Sequence, residues 1–157
     1  MPPVAPRGTT VSSASIRIDF YVLEQAAPEA RLRFACRLAE KAVKLSRQVH
    51  ALAEDERQAH TLDNLLLTFR AESFVPHDMG EPGGPDASPV TIGHDPVRLS
   101  SGGQVLINLR ADVPSCFDSF QRVVEIIDSS EDSRRAGRER FKFYRDNGYD
   151  PQTHRIS

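Results

Sequence analysis

Short segments rich in β-branched and aromatic residues alternate along this chain with longer segments in which apolar residues recur at helical spacing. Residues 16–23 (IRIDFYVL) predict a strand, and residues 28–45 predict an amphipathic helix that packs on a sheet. Residues 48–53 (QVHALA) predict a second strand, and a second helical pattern starts after Glu54 and Asp55. This order is typical of domains with parallel strands, because each crossover between such strands needs a long connection.

The second half of the chain continues the alternation. Residues 90–93 and 104–109 (QVLINL) predict two short strands on either side of a Ser/Gly turn at residues 100–103. Residues 122–127 (RVVEII) predict a further strand. The predicted fold class is therefore α/β, with three layers (α/β/α) and a mainly parallel central sheet.

Two more helices are predicted in this half. Residues 115–121 predict a short helix with Pro114 near its first turn. Residues 131–147 predict a longer helix that is acidic at its start and basic later, with Gly148 in the position that ends many helices. Both helices are expected to cover the sheet.

The size and charge of the chain exclude several classes of protein. With 157 residues and 39% hydrophobic residues, it predicts one domain over residues 16–157 after a flexible tail of residues 1–15. Its 20 basic and 22 acidic residues give a net charge of -2, which argues against a surface built throughout for nucleic acid. Its apolar runs are too short for a membrane span, and no signal-peptide pattern precedes residue 16, so we expect a cytoplasmic protein.

The residue types that carry common chemistry are sparse. No glycine-rich phosphate motif occurs, and the connection after the first strand, residues 24–27 (EQAA), has no glycine that would let a pyrophosphate approach the backbone. His77 beside Asp78 is the most suggestive pair, and a role in a turn is favoured for it. Cys36 and Cys116 lack a partner motif and are predicted to be small core residues. We expect no cofactor, no metal and no catalysis.

One long connection leaves an alternative open. Residues 70–89 (RAESFVPHDMGEPGGPDASP) carry four prolines and three glycines, which predict a loop, with the glycines serving turns. Long loops in compact domains often carry function. A small-molecule enzyme with its site in this loop is therefore a competing hypothesis.

The last predicted helix carries a basic stripe. Arg134, Arg138, Phe141 and Arg145 stand at offsets that place them within about 60 degrees of one another around a helix. Ala136, Phe143, Tyr144 and the stem of Arg140 project to another side and are expected to cover the sheet.

Three guanidiniums around an aromatic ring suit an acidic peptide tail with an apolar side chain, because arginine binds carboxylates through a bidentate fork. A competing hypothesis is a direct single-stranded nucleic-acid-binding module that uses the same stripe through phosphate contacts and stacking.

Five segments together resemble a known family. They are FYVLE (residues 20–24), RLRFACRLAEKA (31–42), ESFVPH (72–77), LINL (106–109) and RERFKFYRDNGY (138–149). In this order they are similar to the chi subunit of bacterial DNA polymerase III, over about residues 16–156. The resemblance implies a fold like that of nucleotide-binding domains without their phosphate loop, and a non-catalytic accessory subunit of the clamp-loader assembly.

The same resemblance implies partners and a binding site. Family members link the clamp loader, through the psi subunit, to the acidic carboxyl-terminal tail of single-stranded-DNA-binding protein, which ends in an aromatic residue with a free carboxylate. By motif position, Arg134, Arg138 and Phe141 correspond to the tail site, with Ile127 as an apolar wall, whereas Arg145 is added from helical geometry. Contact with DNA is then indirect, through the assembly.

A second surface is implied for the psi subunit. Phe74 in ESFVPH matches the family's aromatic position there, and Leu67 falls where relatives can carry a tryptophan. Loop anchoring for Phe74 and helix packing for Leu67 are the alternatives. The expected state is a monomer or a 1:1 heterodimer.

Overall fold

The computed structural model describes residues 16–69, 74–80, 88–96 and 103–156. The predicted tail of residues 1–15, residues 70–73 and 81–87 of the long connection, and most of the predicted Ser/Gly turn lie outside this range. The elements in chain order are β1 (Arg17–Leu23), α1 (Pro28–Lys44), β2 (Val49–Leu52), α2 (Glu56–Thr68), β3 (His77–Met79), β4 (Val90–Gly93), β5 (Gly103–Asn108), β6 (Phe120–Ile127), α3 (Glu131–Asp146) and β7 (Gln152–Ile156).

The strands form one seven-stranded sheet in the order β3-β4-β2-β5-β6-β1-β7, and each of the described strand pairs is parallel. Strand β6 shows how the sheet separates two cores, since successive side chains point to opposite faces. Val124 and Ile126 join the core under α1 and α2, whereas Val123 and Ile127 join the core under α3. The predicted three-layer α/β/α fold is confirmed.

The helix ends follow the local sequence. The Asp55 carboxylate accepts a hydrogen bond from the Gln58 amide and starts α2, and the Ser130 hydroxyl accepts one from the Ser133 amide and starts α3. After α3, Gly148 adopts φ of 91°, a left-handed conformation that glycine reaches without a Cβ clash. The predicted start of α2 at Asp55 and the predicted end of α3 before Gly148 are confirmed.

Three expectations about elements need correction. Residues 115–121 do not form a helix, because the helical turn spans Phe117–Ser119 alone and Phe120, buried in the α3 core, already starts β6. Strand β3 was missed because it lies in a Pro/Gly-rich segment, and β7 because its sequence, QTHRI, is polar. Strands β4 and β5 both form, but each pairs with β2, which lies between them.

Two other expectations concern the core and the membrane. Cys36 and Cys116 are both buried, as predicted, and burial raises the pKa of the Cys36 thiol to about 12. Among the described residues, no helix combines the length and the apolar character needed to cross a bilayer.

Candidate functional site

A cleft of about 480 Å³ lies between α3 and the edge of the sheet formed by β1 and β7. We call it the α3 cleft. Four of the predicted tail-site residues line it together: Arg134, Arg138, Phe141 and Ile127. The remaining lining residues are Phe20, Val22, Gly137, Thr153 and Arg155.

The fifth predicted residue, Arg145, is exposed on α3 one turn beyond Phe141 and does not line the cleft. Helical angle placed it on the same stripe, but angle does not show how far a cleft extends along a helix. The Phe141 ring packs edge to face on Phe20 at 5.2 Å between centroids and forms one wall of the cleft.

The apolar part of the cleft depends on a close approach of α3 to the sheet. Phe141 is half-buried, and Ile127 is 8% exposed at the end of β6. A Cβ on Gly137 would overlap the Ile127 side chain, reaching 2.8 Å from Cγ1. The helix can lie this close to β6 because residue 137 is glycine.

The charged part of the cleft consists of three guanidiniums, from Arg134, Arg138 and Arg155, and no carboxylate lines it. Within the described part of the chain, none of the three arginines lies at ion-pair distance from an acidic group. Sequence reasoning missed Arg155, since it stands on the unpredicted strand β7. Alternate residues of a strand point to the same face, which is why Thr153 and Arg155 both line the cleft. This alternation is the sequence pattern that would have indicated Arg155.

A buried polar network fixes α3 against the sheet. The Glu125 carboxylate, fully buried on β6, accepts hydrogen bonds from Arg140 Nε at 2.8 Å, Tyr144 Oη at 2.7 Å and Asn108 Nδ2 at 3.0 Å. Arg140 Nη1 also donates to the carbonyl of Ala111 at 3.0 Å. Burial raises the pKa of Glu125, and the Arg140 guanidinium opposes that rise.

This network bears on which residues of α3 cover the sheet. Tyr144 is fully buried, as predicted. Arg140 buries its guanidinium as well as its stem, which the sequence did not indicate because Glu125 stands within an apolar strand, RVVEII. Phe143 was expected to cover the sheet, but it remains 41% exposed and touches Phe117 at 6.0 Å between ring centroids.

The predicted psi-facing residues lie at the opposite end of the sheet. Phe74 is 79% exposed and Leu67 is 58% exposed, so neither takes the packing role that was the alternative. Met79 on β3, the edge strand, is also exposed. We call Leu67, Phe74 and Met79 the β3 edge.

His77 joins this edge to α2. Its Nε2 lies 2.8 Å from Asp63 Oδ1, and its Nδ1 lies 2.7 Å from the carbonyl oxygen of Val75. Asp78, the next residue along the chain, accepts a hydrogen bond from the Ser88 hydroxyl. The turn role favoured for His77 is wrong, since the residue starts strand β3.

Among the described residues, no group of three or more His, Cys, Asp or Glu side chains is arranged to hold a metal ion. Arg31, in the first turn of α1, lies at the ends of strands β5 and β6. Arg31 donates from Nε to the carbonyl of Ile126 and from Nη2 to that of Leu109, both at 3.1 Å.

Comparison with solved structures supports the fold. The crystal structure of T4 UvsW matches with a TM-score of 0.58 over 90% of this chain and 42% of that chain, at 10% sequence identity. At this identity the likeness concerns the fold alone.

Comparison with protein families is more specific. The family model described as DNA polymerase III chi subunit, HolC, matches residues 16–152. The DNA polymerase III subunit chi of Pseudomonas aeruginosa is 40% identical over 140 residues, covering 89% of this chain and 96% of that protein. The subunit chi of Escherichia coli is 33% identical over 121 residues, covering 77% of this chain and 82% of that protein. The chain therefore belongs to the DNA polymerase III chi subunit family.

Proposed function

We propose that this chain links the clamp loader of DNA polymerase III, through the psi subunit, to the acidic carboxyl-terminal tail of single-stranded-DNA-binding protein. Its place as an accessory subunit of a polymerase assembly follows from its family. The observation that carries the finer proposal is that Arg134, Arg138, Phe141 and Ile127 line one open cleft. Contact with DNA would then be indirect, through the protein whose tail the cleft binds.

The chemistry of the α3 cleft fits a peptide that ends in an aromatic residue with a free carboxylate. The exposed part of Phe141 and the tip of Ile127 offer an apolar surface for the aromatic ring. Arg134, Arg138 and Arg155 surround this surface with donors for carboxylates. A hydrogen bond to a charged group contributes roughly 1.5 to 3 kcal/mol, and the bidentate arginine fork adds specificity.

The β3 edge is the proposed contact for psi. Leu67, Phe74 and Met79 expose apolar side chains there. Large apolar side chains that remain exposed at the edge of a sheet are candidates for protein–protein contact. The α3 cleft and the β3 edge lie at opposite ends of the sheet, so both partners can bind at the same time. The proposed state is accordingly a monomer that forms a 1:1 heterodimer with psi, in the cytoplasm and without catalysis of its own.

The tail proposal is tested by fluorescence anisotropy with a labelled acidic peptide that ends in Pro-Phe with a free carboxylate. An amidated copy of the peptide and a bare single-stranded oligonucleotide are the comparison ligands. Saturable binding of the free-acid peptide, with much weaker binding of the amidated copy, is expected. Equal binding of both peptides would contradict the role of the arginines.

Arg138→Ala should weaken binding of the free-acid peptide at least tenfold, or about 1.4 kcal/mol, because it removes a guanidinium from the centre of the cleft. Arg135→Ala is the matched control, since Arg135 is exposed on the same helix and pairs with Asp132 outside the cleft. Arg145→Ala should behave like this control. A folded Arg138→Ala variant with an unchanged isotherm would exclude the site.

A further inference from the structure

A second cleft, of about 440 Å³, lies on the α1 side of the sheet at the end where β1, β5 and β6 begin. Arg17 and Arg122 reach it from the starts of β1 and β6, Lys41 from the last turns of α1, and Arg47 from the connection after α1. We call this the basic cleft. It belongs to neither the α3 cleft nor the β3 edge, and the proposed function does not use it.

The charges in the basic cleft are of one sign. No Asp or Glu is among the residues that line it. The nearest carboxylate, Asp19, is buried beneath it and contacts Arg17 Nε at 2.8 Å and Arg122 Nε at 2.9 Å. Lys41 and Arg47 have no ion pair with any described residue. Four cations and one carboxylate leave an excess of three positive charges in a chain whose net charge is -2.

Asp19 remains ionised under these cations. Burial by itself would raise its pKa, but hydrogen bonds from His154 and Arg122 and the charges of Arg122 and Arg17 hold it below the ordinary value. His154 Nε2 lies 2.8 Å from Asp19 Oδ1 on the side away from the arginines' contact at Oδ2. The carboxylate therefore positions Arg17 and Arg122 without removing the positive excess.

The floor of the basic cleft is closed by core residues: Val49, Val105, Ile107 and Val124 line it, and each is 6% exposed or less. Its exposed apolar surface is aliphatic and lies on the α1 side, where Leu45 is 62% exposed and Leu38 and Ala42 are half-buried. Apolar surface therefore does not distinguish the possible ligands of this cleft, and the ligand is assigned from its charges and donors.

The polar groups of the basic cleft are mainly donors. Besides the four cations, Gln104 and Gln121 line it, and Gln104 already uses its Oε1 to accept the Gln48 amide, which leaves its NH₂ group free to donate. The Tyr21 ring stacks on His154 at 4.9 Å between centroids, and its hydroxyl accepts from Arg122. This ring is therefore not free to stack on a nucleobase.

We propose that the basic cleft binds the phosphodiester backbone of single-stranded nucleic acid without sequence preference. Phosphates supply negative charge and acceptor oxygens at regular spacing, which match the excess positive charges and the side-chain donors of the cleft. The flexible backbone of a single strand can follow a concave cleft more readily than a stiff duplex can. The contact is direct and separate from the indirect contact proposed through the α3 cleft.

The test is a titration of the full chain against fluorescein-labelled oligodeoxythymidine of about 20 nucleotides at about 20 mM salt, read by anisotropy. The variant is Lys41→Glu with Arg47→Glu, which reverses the two unpaired cations of the cleft. Its affinity should fall at least tenfold. The slope of log K against log salt should decrease in magnitude by about 1.4, since each phosphate contact on a single strand contributes about 0.7.

The matched control is Arg33→Glu with Arg57→Glu, which changes the net charge equally on exposed parts of α1 and α2 outside the basic cleft. Circular dichroism melting curves check that all variants fold. At about 100 mM salt the control should bind the oligonucleotide within about twofold of the unmodified chain, because exposed charges are then screened beyond a Debye length of about 10 Å. Equal losses in both double variants would overturn the proposal.

Two further experiments distinguish binding at the basic cleft from binding at the α3 cleft, and nucleic acid from other polyanions. Arg134→Ala with Arg138→Ala should leave oligonucleotide binding intact, and Lys41→Glu with Arg47→Glu should leave acidic-tail binding intact. Loss of oligonucleotide binding in the first variant would overturn the proposal in favour of the basic stripe on α3. A polyaspartate of equal charge should bind more weakly than the oligonucleotide, and equal binding would also overturn it. Oligouridine should bind like oligodeoxythymidine, since the contacts are to phosphates.

Discussion

The α3 cleft and the β3 edge differ in what lies behind them. Behind the cleft, one fully buried carboxylate, Glu125, accepts hydrogen bonds from Arg140, Tyr144 and Asn108, and thereby joins α3 to two strands. Behind the β3 edge, the described side-chain hydrogen bond between β3 and α2 is the partly buried contact of His77 with Asp63. A fully buried polar network therefore supports the first surface, whereas the polar contact that supports the second is partly exposed.

This difference indicates how each surface would meet its partner. Because α3 is fixed against the sheet, the backbone that carries Arg134 and Arg138 need not move when a tail binds, so a short peptide can be held by few contacts. The β3 edge presents apolar side chains from α2, from the segment before β3 and from β3 itself, a surface that a larger partner can cover. The predictions below test this contrast, beginning with the change of largest expected effect.

Arg140→Met should destabilise the fold by about 3 to 5 kcal/mol, because it leaves the buried Glu125 carboxylate without its charged partner. Urea unfolding followed by circular dichroism measures the loss. Arg135→Met, an exposed change on the same helix, should cost less than about 0.5 kcal/mol. Adding Glu125→Gln to Arg140→Met should recover part of the loss. If Arg140→Met were as mild as Arg135→Met, the network would not be what fixes α3.

Acid should weaken the half of the sheet that carries the β3 edge. His50 on β2 is buried, its Nδ1 lies 2.7 Å from the Thr91 hydroxyl on β4, and its Nε2 has no hydrogen-bond partner among the described residues. Burial lowers the pKa of His50 to about 4. The unfolded chain therefore takes up the proton first, so the stability from the neutral ring is complete above about pH 6.5 and decreases as pH falls toward 4.

The expected loss from His50 is about 2 kcal/mol between about pH 7 and pH 5, and about 3 kcal/mol by pH 4. Urea unfolding at several pH values measures it. His50→Asn keeps a polar partner for Thr91 but does not titrate, so its stability should depend less on pH over this range. Equal pH dependence in the variant and the unmodified chain would assign the effect to other groups.

The sequence predicted the fold and the α3 part of the cleft because both rest on periodicity. The alternation of strand-like and helix-like segments predicted the three layers, and offsets along one helix brought Arg134, Arg138 and Phe141 together. The family resemblance added Ile127. The site residues that the sequence did not predict depend on contacts between distant segments. Arg155 enters the cleft from a polar edge strand, and Glu125 pairs with a residue fifteen positions away.

The β3 edge was harder to predict for the same reason. Strand β3 has three residues in a segment rich in proline and glycine, where local propensity opposes a strand. Its pairing with β4 overrides that propensity, since a parallel neighbour supplies the backbone partners. The contact between His77 and Asp63 also joins residues fourteen apart, which no local pattern reveals.

Gly137→Ala should change the shape of the α3 cleft with little change in the stability of the fold. The new Cβ would overlap Ile127 and push its side chain into the cleft. We expect acidic-tail binding to weaken by about fivefold, or about 1 kcal/mol. Stability should change little, since a gain in helix propensity of about 1 kcal/mol opposes an overpacking cost of about 1 to 3 kcal/mol. Adding Ile127→Val, which removes Cδ1 and leaves only the contact with Cγ1 to be relieved by a small shift, should recover part of the binding, and failure of this rescue would contradict the steric explanation.

Asp63→Ala at the β3 edge should have a small effect on stability, about 1 kcal/mol, because it removes one partly exposed hydrogen bond to His77. Asn64→Ala, the next residue on α2 and exposed, controls for the change in helix propensity. Asp63→Asn keeps an acceptor for His77 and should recover most of the loss. Hydrogen exchange of the amides in β3 should become faster in Asp63→Ala while that in α3 stays slow, because the two ends of the sheet are held independently. If Asp63→Ala cost as much as Arg140→Met, or released α3 as well, the β3 edge would be part of the same rigid scaffold, and the contrast between the two surfaces would be lost.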